Sequence, residues 1–584
     1  MFRVRSPWLI FLVLGAPSGG ARCAGEKTFC NPIDINYQYN AECEHTDASY
    51  RSGADPVIVN HQRGFNLFAT NSTGWWHSKD LGHWQFVKPR LWPEEDMVSP
   101  AALSVRETLY LFPSTFEQRP IYSTTRPESG ELGLFNPLMP FVPGAAGPWD
   151  PAIFHDEDTD RWFMYFGSSN VYPIYGIELD HRNRLSYIGS AKELIALKPD
   201  LHGWERFGRD HRDTIKPFIE GAWMTKHGGR YYLQYAAPGT EYNVYASGVY
   251  VCDSPMGKFK YAPNNPFSYK PGGFMTGAGH GNIFQDNFGN YWNTGTAWIG
   301  LNYNFERRIV MFPAGFDADG LLNANTRFGD FPHFVPTSKW QDRNELFTGW
   351  MLLSYRKPCS SSSTRHPYPP ANATDENPRT FWEAKTNKPG EWLMIDLEQA
   401  SEIRAVQINF ADHQSGLFAS GDDVFTQFKL HHSLDGRQWA VLSDLAREKR
   451  DRPNAYVELP EAVRTRFIKY EHVHVGARHL AVSDIRVFGH GEGEAPGTPA
   501  GLKAVREEDP RNVLISWHDV PETVGYNVLW GLRNGKLYQA YQLFADHGTR
   551  LELRALTIGQ SYSFAIEAFN EAGVSKVSEP VAIE

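Results

Sequence analysis

Between about residue 54 and residue 336 the hydrophobic and polar positions follow one repeating plan. A polar residue and a Pro or Gly open a short apolar run, a turn follows, and a second run is rich in aromatic residues. Short apolar runs bounded by turn residues predict strands, and turns such as Asp156-Glu157-Asp158, Gly228-Gly229 and Asn287-Phe288-Gly289-Asn290 predict hairpins joining them. The plan is clearest at Trp149-Asp150-Pro151-Ala152-Ile153-Phe154, paired with Arg161-Trp162-Phe163-Met164-Tyr165-Phe166. Its other openings are Asp55-Pro56, Ser99-Pro100, Glu220-Gly221 and His280-Gly281.

The openings recur at roughly 45 to 70 residues, the period of propeller blades rather than of solenoid coils. Five copies predict a five-bladed β-propeller over residues 24–344, its last blade running to about residue 336 and its ring completed by pairing with the N-terminal chain. Equivalent copies would bring Asp55, Ser99, Asp150, Glu220 and His280 to matching places near the axis. Three carboxylates gathered away from bulk water repel one another, so such a cluster implies function.

Near residue 345 the period stops. Strand patterns at Glu391–Leu397 and Ile403–Ile408 define a second β-rich unit, residues 345–490. A Gly/Pro/Ala-rich linker then opens a third unit, residues 491–584, with strands at Val513–Trp517, Gly525–Trp530 and Ser561–Ala568 and the length of a β-sandwich. The fold class expected is therefore all-β throughout.

The formal charge of -10, without a long basic run, gives no nucleic-acid footprint. Arg3 and Arg5 precede the apolar stretch Trp8–Leu14 and small residues through Ala21, the layout of a signal peptide over residues 1–23 and too short for a membrane span. No other segment is apolar enough to span a membrane. A secreted or periplasmic protein is expected; Arg22 before Cys23 makes a poor lipid-attachment site. Cys30 and Cys43 are close enough in sequence to pair in an oxidising compartment, and no cysteine spacing is of metal-binding type.

Taken in order, Ala54-Asp55-Pro56, Trp149-Asp150-Pro151, Glu220-Gly221 and Gly279-His280-Gly281-Asn282-Ile283-Phe284 resemble the motifs of glycoside hydrolase family 43, five-bladed propellers with an inverting mechanism. Trp76–Leu81 and Tyr175–Leu179 also resemble family segments. The resemblance implies that Asp55 is the general base, Glu220 the general acid and Asp150 the carboxylate that raises the acid's pKa and orients it. Inversion needs one protonated carboxyl and one ionised carboxylate roughly 6.5 to 9.5 Å apart, with water between base and sugar. Val98-Ser99-Pro100 departs from the family's frequent Trp-Ala-Pro and alters the substrate contacts expected of that blade. The motifs of the retaining, invertase-containing neighbour family do not match. Residues 355–489 resemble a discoidin-like F5/8 type C jelly roll through Asn377–Trp382, Gly390-Glu391-Trp392 and Ser433–Trp439. Residues 497–584 resemble a fibronectin type III sandwich through Trp517, Tyr526, Tyr562 and Ala568–Gly573.

Trp76, Trp149 and Trp223 are candidate sugar-stacking residues, with blade packing the alternative for each; Arg327 is a candidate pocket residue, with a salt bridge the alternative. His280 is read as a substrate contact, as a buried satisfied histidine, or as the holder, through water, of the structural calcium ion found in family members; no cofactor is required by the chemistry. The activity implied is exo-acting release of terminal pentose, α-L-arabinofuranose first, from plant-type poly- or oligosaccharides. β-D-Xylosidase and galactosidase or galactofuranosidase activities belong to the same substrate range. A propeller that binds carbohydrate without cleaving it is the competing class.

Overall fold

The computed structural model describes residues 27–584, apart from residues 42, 91–97, 115–119, 146–148, 420 and 422. The expected leader, residues 1–23, and Pro148 lie outside the described residues. No described helix is long and apolar enough to cross a membrane.

Among the described residues, five antiparallel sheets of at least four strands succeed one another between Ala54 and Ala324. They begin at Ala54–His61, Ala101–Val105, Ala152–Asp156, Glu220–His227 and Thr276–Gly279. The first three opening strands each lie against the opening strand of the next sheet. Thr276–Gly279 lies against Arg230–Ala237 and Ala246–Cys252 of the fourth sheet, and the fifth sheet returns to the first through Tyr291–Trp298 against Ala54–His61. Such a cycle covers every sheet on both faces, which explains the aromatic second strands. Along Arg161–Phe166, Trp162, Met164 and Phe166 enter one core with Ile153 and Ile177, whereas Phe163 and Tyr165 enter the core on the opposite face. Strand periodicity sends alternate residues to opposite faces, and here both are apolar. The hairpin between Glu220–His227 and Arg230–Ala237 turns on Gly228 and Gly229, with φ of 55° and 75°, the left-handed pair that a type I′ turn needs.

One sequence expectation is corrected. Among the described residues the N-terminal chain does not complete the fifth sheet: Thr28–Phe29 pairs with His333–Phe334 outside it, and Ile33 N–H donates to Ile309 O at its flank. Cys30, Cys43, Cys252 and Cys359 are all free, and Cys30 is enclosed against Asp330 O instead of facing Cys43.

The second unit centres on the long strands Trp392–Phe410, Asn454–His474 and Ala481–His490, which enclose Leu393, Ile395, Ile408, Phe428, Tyr470 and the fully buried Trp382. The third has a three-stranded and a five-stranded antiparallel sheet around Ile515, Tyr526, Trp530 and Phe564.

These units are fused to the cycle of sheets. Arg51, with a 4% exposed side chain, donates from Nε to Asp412 at 2.8 Å and also pairs with Asp451. Arg452 Nε reaches Asp34 at 2.9 Å. Arg486 pairs with Glu376 at 2.9 Å and donates to Asp330 O at 2.6 Å. Phe328 and Phe331 of the first unit, Phe488 of the second, and Phe544 and Phe569 of the third meet in one aromatic cluster. Buried arginines held across a seam by carboxylates lose several kcal/mol if one partner is removed, so the three units share their stability.

Candidate active site

The openings of the five sheets converge at the centre of the cycle, but their equivalence is shifted at one place. Asp55, Ser99, Asp150 and His280 have φ of 51°, 40°, 47° and 41°; in the fourth sheet the left-handed residue is Gly221, at 62°. Glu220 therefore stands one residue ahead of the backbone position held by the others. A Cβ on Gly221 would approach His280 Cγ to 2.8 Å, so glycine there admits the imidazole. Four non-glycine residues in the left-handed region around one axis mark strain concentrated where a site is built.

Hydroxyls at the inner ends of second strands brace this arrangement from sheet to sheet. Ser99 N–H donates to Thr70 Oγ1 at 2.7 Å, Asp150 N–H to Ser114 Oγ at 2.9 Å, and Asp55 N–H to Thr296 Oγ1 at 2.9 Å. Ser168, at the corresponding end of the third sheet, donates instead to the Glu220 carboxylate, Oγ to Oε2 at 3.0 Å. Four of the five sheets thus position a residue of their neighbour through a hydroxyl.

His280 ties the cluster together. Its Nδ1 lies 3.1 Å from Asp55 Oδ1 and 3.9 Å from Asp150 Oδ2, and its Nε2 lies 3.0 Å from Ser99 Oγ. Burial works against its charge, but Asp55, Asp150 and Glu220 more than offset this, so its pKa lies above the ordinary histidine value. Asp55 also accepts from Thr70 Oγ1 at 2.6 Å and faces Arg307 Nη1 at 3.9 Å. Burial pushes the Asp150 carboxyl up to about 7; His280 opposes this, and the charges of Glu220 and Asp55 add to it. Glu220, more open to solvent than Asp55 and Asp150, accepts from Tyr245 OH at 2.6 Å besides Ser168. Burial and Glu220 hold the Tyr245 pKa well above that of a free tyrosine, so this donor keeps its proton. Asp150, Glu220 and His280 bring ligand atoms within 4.8 Å of one another. Of the two carboxyls in this group, Glu220 is the one open enough to reach a substrate.

That triad suits catalysis better than direct calcium binding. Calcium favours six to eight oxygen ligands, whereas both ring nitrogens of His280 face other groups and the carboxylates lie among hydrogen-bond donors. The residues present do not fit calcium as a direct ligand set.

The other sequence candidates separate. Trp149 is half-buried and lines a small cavity with Phe166, Ser168, Tyr172 and Tyr175, next to the serine that contacts Glu220. Trp76 is 1% exposed, packs edge-on against Phe86 and donates to Asn36 Oδ1 at 2.6 Å; its ring is closed to a sugar. Trp223 is buried with its N–H on Ile283 O. Arg327 turns away from the centre and grips Glu567 of the third unit, Nε to Oε1 at 2.6 Å. Arg307, Tyr245 and the bracing hydroxyls were missed by sequence reasoning. Three of the hydroxyls had a signal, a Ser or Thr at or just past the end of the second run, at Thr70, Ser114 and Ser168; Thr296, inside its strand, Arg307 and Tyr245 had none.

Residues 50–322 match the family model of Glycosyl hydrolases family 43, and residues 358–481 match that of the F5/8 type C domain. The chain carries a glycosyl hydrolase family 43 domain followed by an F5/8 type C domain. It is 26% identical over 171 residues to the Beta-D-galactofuranosidase xynD of Aspergillus niger, covering 29% of this chain and 43% of that protein. It is 27% identical over 156 residues to a Xylosidase/arabinosidase of Bacteroides ovatus, covering 21% of this chain and 44% of that one. The chain thus spans less than half the length of these curated relatives. A thermostable family-43 glycoside hydrolase of known structure matches with a TM-score of 0.42 and 21% identity, over 53% of this chain and all of that one.

Proposed function

We propose that the first unit is a five-bladed propeller acting as an inverting, exo-acting glycosidase that releases terminal α-L-arabinofuranose, and that the third unit is a fibronectin type III sandwich bracing it. The observation that carries this reading is the joining of Asp55, Asp150 and Glu220 around His280 in a centre otherwise lined by hydroxyls and Arg307. In the mechanism, Glu220 gives its proton to the leaving oxygen while Asp55 takes one from a water that attacks the anomeric carbon from the opposite face. The glycosidic C–O bond breaks as the new C–O bond forms, leaving a hemiacetal of inverted configuration. Tyr245 and Ser168 hydrogen-bond the Glu220 carboxylate as it loses its proton. Asp150, buried beside it, is itself pushed up to about 7 and so holds a proton close to the acid at mildly acidic pH. His280 and Thr70 hold Asp55 in place, and the Trp149–Tyr172 wall offers the sugar an aromatic face.

The sugar is proposed from the resemblance and from the relatives' names, one a galactofuranosidase and one a xylosidase/arabinosidase, which leave galactofuranose and xylose as the alternatives. An exo mode accords with Asp55 and Asp150 being buried while Glu220 stays partly open. Export through the N-terminal segment is part of the same proposal. Turnover of aryl α-L-arabinofuranoside, β-D-xyloside and β-D-galactofuranoside by the purified chain tests it. Preference for the arabinofuranoside supports the proposal, while sugar binding without turnover of any of them would make the propeller a lectin.

A further inference from the structure

At the seam between the first two units, two arginines converge on one indole. Arg379 of the second unit lies with its guanidinium carbon 3.8 Å from the centroid of Trp298, and that of Arg209 lies 5.9 Å from it. Among the described residues neither guanidinium has a hydrogen bond or ion pair, although Arg379 Nε is buried. The nearby acids are committed elsewhere. Glu306 accepts from the Leu301 and Asn302 amides and pairs with Arg308 at 3.5 Å. Asp210 accepts from Asn243 Nδ2 at 2.9 Å and from Tyr541 OH at 3.3 Å. Burial and Arg209 push Arg379 down to about 10, so it still carries its charge at neutral pH.

This pair lies beside the catalytic centre. Trp298 follows Thr296 by two residues on the strand Tyr291–Trp298, so both face the same side about 7 Å apart, and Thr296 holds the Asp55 amide. Directly across the strand pair from Trp298 is Arg307, which faces the Asp55 carboxylate. Tyr242, three residues before Tyr245, packs on Trp298 at 6.3 Å. The seam is fixed: Asn302 Nδ2 donates to Ala411 O at 2.8 Å, and Trp298 Nε1 donates to Asn304 O at 3.0 Å. Like-charged guanidiniums brought to one aromatic surface without a counter-ion repel, and planar guanidinium forks are suited to carboxylate and sulfate oxygens.

We propose that Arg379 and Arg209, converging on Trp298, form a subsite for an anionic substituent, a carboxylate or a sulfate ester, on the sugar next to the one released. The second unit thereby contributes a specificity residue to the glycosidase proposed above, on which this inference rests. The anion's negative charge neutralises the paired cations at the rim, while the terminal sugar enters the centre.

Binding by the full chain carrying Glu220→Gln tests this with three probes. They are a pentose-decorated oligosaccharide with galacturonic acid next to the terminal sugar, its carboxyl-reduced copy, and a copy with a sulfate ester in place of the carboxylate. At least one charged probe is expected to bind about tenfold more tightly than the reduced copy, the worth of one charge-assisted hydrogen-bonded pair, and the tighter of the two identifies the anion. That preference should fall toward unity in Arg379→Gln, persist in part in Arg379→Lys, and weaken with salt. Arg209→Gln lies on the exposed side and serves if Arg379→Gln disturbs the seam. Equal affinity for charged and reduced probes, or a preference surviving both glutamine variants, overturns the subsite. Failure of the wild-type chain to turn over any aryl glycoside would instead overturn the glycosidase reading.

Discussion

Asp150→Asn separates the electrostatic account of the centre from a purely steric one. The Asp150 carboxyl is pushed up to about 7 from an ordinary value of 3.8, first by burial and then by Glu220 and Asp55, against His280. A carboxyl raised on folding takes up a proton more readily in the native state. It therefore stabilises the fold at low pH, and that contribution is lost as pH rises from about 4 through about 7. At about 1.4 kcal/mol for each pKa unit, the loss between pH 5 and pH 8 is about 2–3 kcal/mol. Asparagine cannot ionise and escapes it. The variant's thermal midpoint relative to wild type should therefore rise by about 2–3 °C from pH 5 to pH 8, a modest shift because the transition of so long a chain is steep. Turnover should fall at the same time, because the proton held beside Glu220 is lost. A wild-type-to-variant difference in midpoint that is flat across this range, or of opposite slope, would refute the burial-and-repulsion argument.

Tyr245→Phe removes the 2.6 Å donor to Glu220 and should lower kcat about tenfold with KM little changed, as for an interaction strongest after proton transfer. Arg327→Ala leaves Glu567 buried without its main partner and should cost about 3 kcal/mol of stability in chemical denaturation, while KM for an aryl glycoside stays at the wild-type value. Removal of residues 345–584 uncovers Arg51, Asp34, Phe328 and Phe331, so the truncated chain should be recovered insoluble; a soluble, fully active fragment would show the seams to be dispensable.

The order of the sheets was legible because each opens with a polar residue before Pro or Gly, a local necessity of a left-handed turn into a strand. The displacement of Glu220 by one residue was not, since Glu220-Gly221 reads like the other openings until the φ at Gly221 is seen. Trp76 and Trp223 illustrate a second limit. An aromatic residue on a strand covered on both faces is buried whichever way it points, so its identity says nothing of a pocket. Arg327 illustrates a third: its partner Glu567 lies in another unit, beyond any motif. Arg307 approaches Asp55 only because the fifth sheet closes on the first, a property of topology with no sequence signature. Whether Cys30 and Cys43 pair was open in the sequence for a similar reason: Cys30 is drawn into the seam beneath Asp330, and both cysteines are free.

The central claim is that Glu220 supplies the proton and Asp55 activates the water. Proton NMR of the sugar first released by the wild-type chain, beside Glu220→Ala on substrates with good and poor leaving groups, tests it most directly. The account predicts an inverted anomer at the earliest times, and a Glu220→Ala loss that is severe for a poor leaving group but partly restored for an activated aryl group that departs without protonation. Retention of configuration, or an equal loss on both leaving groups, would contradict it.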